Sequence, residues 1–108
     1  MKKFLLSLCI MMLVGCASVD RRSLSRLEPV RTQGNAQIFK FWAVADAGAY
    51  QLDSKGAERT RMEWLETWLG YNGFEGKKYE VLSRQPVLRE KAFLGNVYDV
   101  YYEISVEK

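Results

Sequence analysis

The stretch KGAERTRMEWLETWLGYN, residues 55–72, repeats its apolar residues at helical spacing, while the segments on either side of it alternate. At 100° per residue, Met62, Leu65, Trp68 and Leu69 share one side with Ala57 and Trp64 at its edge, and Arg59, Glu63, Glu66 and Thr67 face water. Asp53 or Ser54 supplies an N-cap, because either side-chain oxygen accepts an orphan N–H of the first turn. Asn72-Gly73 supplies the stop: glycine takes the left-handed position and Phe74 packs back on Leu69. One helix with one apolar stripe needs a partner layer, and the flanking alternation makes that layer a sheet.

QIFKFWAVA, residues 37–45, places Phe39, Phe41, Ala43 and Ala45 on one face and Ile38, Lys40, Trp42 and Val44 on the other. In KYEVLSRQPV, Tyr79, Val81 and Ser83 alternate with Glu80, Leu82 and Arg84 until Pro86 interrupts ladder donation. VLREKAFLGN reads as a long connection. NVYDVYYEISVEK then sets Tyr98, Val100, Tyr102, Ile104 and Val106 against Asp99, Tyr101, Glu103 and Ser105. The order β-α-β-β predicts an α+β two-layer sandwich with one helix on a three-stranded mixed sheet. It is a split βαβ of order 1-3-2, with the last strand inserted between the first two. The expected core is Phe39, Phe41, Met62, Leu65, Leu69, Val81, Val100, Tyr102 and Ile104.

Ahead of this domain, residues 36–108, the texture differs. Lys2 and Lys3 precede an apolar run from Phe4 to Val14 that is shorter than the roughly 20 residues a membrane-spanning helix needs, and that has secretory-leader proportions. Leu13-Val14-Gly15-Cys16 ends the run and resembles the bacterial lipobox. That resemblance implies a signal peptide over residues 1–15, cleavage before Cys16, and acylation of Cys16 as the membrane anchor. Ala17-Ser18 resembles the outer-membrane sorting signal, so the expected address is the outer membrane, facing the periplasm. Two or more acyl chains hold stably where one holds marginally. Residues 16–35, with Arg21, Arg22, Arg26 and Arg31 and no sustained apolar period, read as the lipidated cysteine and a flexible tether. Extended, such a tether reaches about 65 Å, and its arginines either stay solvated or meet anionic headgroups.

Composition narrows the function classes. The chain has 16 basic and 13 acidic side chains, and without Lys2 and Lys3 the balance is 14 to 13, which supplies no argument for nucleic acid. It has no histidine, and Cys16 is the one cysteine after the leader, so the commonest zinc ligands and the usual base of a nucleophile pair are missing. No phosphate-loop motif is present. The expectation is a non-catalytic protein without metal or cofactor, with an enzyme working through Glu58 or Asp46 held in reserve.

Two candidate sites follow. The sheet face turned from the helix carries Ile38, Trp42, Val44, Leu82 and Tyr101 among Lys40, Arg84 and Glu103. A contiguous apolar patch of that kind either marks an interface, with an unknown envelope protein or with a second copy, or is covered by VLREKAFLGN or the tether folding over it. Trp42, Leu82 and Tyr101 are its expected anchors. The alternative is a binder of cell-wall glycan or another small envelope ligand, with Glu58, Arg61, Trp64 and Tyr50 lining a pocket. Glu58 and Arg61, three apart, read either as a cleft-mouth pair or as a boundary ion pair.

Overall fold

A computed structural model describes residues 22–46, 50–91, 93 and 95–108, so Cys16 and the leader lie outside the described residues. The chain folds as β1 (Ser25–Gln33), β2 (Ala36–Asp46), α1 (Lys55–Tyr71), β3 (Tyr79–Glu90) and β4 (Val97–Glu107). Among the described residues there is one four-stranded sheet, order β1-β2-β4-β3, with every neighbouring pair antiparallel. The α+β class is as expected, but the three-stranded mixed sheet of order 1-3-2 is corrected. Residues 25–33, assigned to the tether, are a strand.

The reason lies in the turn. Gly34 and Asn35 form a two-residue connection between the paired residues Gln33 and Ala36, with Gly34 at φ 61. Positive φ at the first central position alone fits a type II′ turn, whose twist matches that of the strands it joins. β1 then lays Ser25 and Leu27 beside Ala43 and Phe41, and both become buried. A charged strand with two inward apolar or small residues folds because β2 already presents a paired edge.

β2 and β4 form the centre, paired without interruption from Ala36↔Glu107 to Asp46↔Val97. Their inward residues Phe39, Phe41, Ala43, Ala45, Val100, Tyr102, Ile104 and Val106 meet Trp64, Leu65 and Leu69 of α1 in the core. Of the expected core, Met62 only packs at its margin and Val81 is exposed. The helix is rotated so that Ala57, Arg61, Trp64, Leu65 and Leu69 are its buried residues. It starts at Ser54, whose hydroxyl accepts from the Ala57 N–H at 3.3 Å, and it ends in a Schellman cap. There Gly73 is at φ 87, and the Phe74 and Gly73 N–H groups donate to the Leu69 and Gly70 carbonyls.

β3 runs through Pro86 to Glu90, four residues beyond the expected stop, because an edge strand tolerates a missing donor on its outer side. It carries irregularities at Val81/Ser83 and Leu88/Glu90. The first makes Leu82 an extra residue and shifts the alternation. Ser83 joins Glu103 on the face away from α1, and Arg84, expected there, pairs with Tyr102 and reaches α1.

Candidate interaction surface

The antiparallel register places Arg26, Trp42 and Tyr101 in one row across β1, β2 and β4, with Glu28, Lys40 and Glu103 in the next row. All six lie on the face away from α1. The indole N–H of Trp42 donates to Asp99 at 2.6 Å, and the Arg89 guanidinium sits 5.7 Å from the Trp42 ring while also bonding Asp99. The Lys40 ammonium lies 4.8 Å from the Tyr101 ring, and Arg31 bonds Glu103 at 2.8 Å. Hydrogen bonds from Arg89 hold the Asp99 carboxyl below its ordinary value; partial burial opposes them, and the Trp42 indole adds to the lowering. Trp42 and Tyr101 are thus two half-buried rings held in place by charged neighbours. Together with Arg22, Ser23, Arg26, Glu28 and Lys40 they line an open cleft of about 420 Å³.

Leu82, the third expected anchor, is not brought beside them. It sits at the β3 irregularity and is exposed. Ile38 and Val44, expected to be open on this face, are buried to 2% and 3% exposure, so the apolar patch is smaller than the alternation implies.

The second group, Glu58, Arg61, Trp64 and Tyr50, is brought together, but as a packed node. Arg61 has no exposed surface. Its Nε and Nη2 donate to Glu58 at 3.1 and 3.0 Å, its Nη1 to the Tyr50 carbonyl at 3.1 Å, and its Nη2 also to the Gln51 and Leu52 carbonyls at 3.1 and 3.2 Å. Glu58 also accepts from the Tyr102 hydroxyl at 2.8 Å and from Arg84 at 3.4 Å. Burial, then the Glu58 bond and charge, raise the Tyr102 phenol above its ordinary value. The Tyr50 and Trp64 rings meet edge-on at 4.9 Å, and Trp64 belongs to the core. Backbone bonds between Asp46 and Tyr50, 2.8 and 3.1 Å, tie the residues before α1 to the end of β2. Both oxygens of Glu58 and the Arg61 fork are engaged within the protein, which is the pattern of a structural clamp on the loop leading into α1.

Sequence reasoning missed the β1 residues Arg26 and Glu28 as part of the sheet surface, and the Arg89–Asp99 pair. The signal for the first was Gly34-Asn35, a two-residue hairpin connection. No family model, curated protein or solved structure matches the chain.

Proposed function

We propose that this chain is an envelope-anchored lipoprotein that works as a non-catalytic interaction module, holding a protein partner along the free edge of β3. The observation that carries the reading is the exposure of β3 as an outermost strand of 12 residues. Val81, Leu82, Val87 and Leu88 on it are 40–47% exposed, and Phe93 beyond it is fully exposed. Only Tyr79 and Arg84 hydrogen-bond from β3 to the helix and its leading loop, among the described residues. A long apolar edge is a template for pairing with another chain, through main-chain hydrogen bonds with side chains setting specificity. Pro86 withholds one donor, which discourages indiscriminate pairing along the middle of the edge.

The glycan-binding alternative needs an accessible Trp64, and the burial of that ring speaks against it. The test is capture from crosslinked envelope with the full lipidated chain as bait, comparing wild type with Leu82→Glu and Val87→Glu. A specific partner, or a second copy, should be lost from both variants while their melting curves stay unchanged. Identical capture by all three chains would refute the edge as the working surface.

A further inference from the structure

We infer that the cleft between Arg22, Arg26, Lys40, Trp42 and Tyr101 rests on anionic lipid headgroups, with the cations on phosphates and the two rings at the membrane interface. The inference depends on reading Cys16 as the acylated residue, and it adds a second surface to the one proposed for a protein partner.

Chain length carries the first part of the argument. With β1 beginning at Ser25, only residues 17–24 separate the anchor from the sheet. Eight residues reach about 30 Å when fully extended, less than half the reach of the longer tether that the sequence suggested. The domain therefore stays close to the lipid surface. Arg26 is the second residue of β1, and the register puts Trp42 and Tyr101 beside it in the same row. The cleft is at the leash end of the sheet.

Charge carries the second part. Arg22, Arg26 and Lys40 line the cleft against one acid, Glu28, and among the described residues neither Arg22 nor Arg26 has a carboxylate partner. Tryptophan and tyrosine are the side chains that sit at a membrane–water boundary, apolar in body and polar at one end. Here both are presented by adjacent central strands, with the indole N–H and ring of Trp42 held by Asp99 and Arg89. The cations come from three places, Arg22 ahead of β1, Arg26 on β1 and Lys40 on β2, a spread that suits a surface of many phosphates better than one bound anion. β3 lies two strands beyond β2, about 10 Å across the sheet, so a partner there and a membrane here do not compete for Arg26 and Trp42.

The experiment uses the full chain purified from membranes, with acylation of Cys16 read by mass. It is reconstituted in phosphatidylcholine vesicles with or without phosphatidylglycerol, and lipid brominated high on the acyl chain serves as tryptophan quencher. Quenching should be stronger with phosphatidylglycerol, should fall with added salt, and should vanish in Trp42→Phe, where only Trp64 and Trp68 remain. Each cation at an anionic surface shifts the docking equilibrium constant roughly fivefold, so Arg26→Gln with Lys40→Gln should lower it about 25-fold. Both are exposed residues, and an unchanged melting curve verifies the fold. Acylated protein quenched equally in both kinds of vesicle, or equally in the double variant, would overturn the headgroup contact alone. An unacylated Cys16 would overturn the anchor and the headgroup contact with it.

Discussion

Arg61 is a cation without exposed surface, and its neighbours satisfy its donors: one carboxylate and three backbone carbonyls from residues 50–52 receive its N–H groups. Removing Arg61 leaves the three loop carbonyls without their donor and Glu58, one-third exposed, with only Tyr102 and Arg84 among the described residues, at a cost of up to about 3–5 kcal/mol. Arg61→Met should therefore lower stability by that amount in denaturant titration. Arg61→Lys should rescue little of it, because an ammonium cannot span Glu58 and the carbonyls as the planar fork does. Asp99 makes a pH-dependent contribution. Its carboxyl is held low in the folded chain, so its stabilisation is present above the unfolded value of about 3.9 and is lost as pH falls through the folded value. A carboxyl-carbon NMR titration should give Asp99 a midpoint below that value, moving upward in Arg89→Gln. A midpoint unaffected by Arg89→Gln would remove the ion pair as the cause.

Among elements, α1 has the most explicit boundaries. Ser54 and Gly73 occupy the cap positions, and Phe74 packs edge-on against Phe39 at 5.5 Å, tying the end of the helix to the central strand. No atom lies within 4 Å of where a Cβ on Gly73 would stand, so the constraint there is backbone conformation and not space. Gly73→Val forces a β-branched residue into φ 87 and should cost roughly 1–2 kcal/mol. A thermal melt checks it, and an unchanged midpoint would mean the turn relaxes at no cost. The strand β3 shows the opposite relation between residue and element. One extra residue at Leu82 changes which face the side chains from Ser83 to Leu88 take, until the second irregularity at Leu88/Glu90 shifts the alternation back, since the side-chain period is two.

For the molecule as a whole, α1 lies nearest β1 and β2 and leaves β3 outside the covered area. The two layers therefore divide the tryptophans by role. Trp64 is in the core, Trp68 donates its indole N–H to Ser25 of β1 at 2.9 Å, and Trp42 stands on the other face with Asp99 and Arg89. Trp64→Ala should cost about 3–5 kcal/mol as a buried aromatic truncation. Trp42→Ala should cost clearly less, because it opens no cavity between helix and sheet. Denaturant midpoints for the two variants decide the matter, and equal losses would place Trp42 in the same cooperative core.

What the amino-acid sequence determined by itself is local. The helix from its caps and spacing, the inward residues of β2 and β4, and the α+β class all rest on periodicities that a window of ten residues contains. Trp42 and Tyr101 share a face for the same reason. The tertiary structure alone decided the features that depend on a neighbour. Ser25–Gln33 is too charged to declare itself a strand and becomes one because the Gly34-Asn35 turn returns it to the edge of β2. Arg61 is buried because the loop before α1 folds three carbonyls towards it. Arg84 changes face because β4 pairs across an extra residue in β3, and pairing between strands distant in the chain has no signature within either strand.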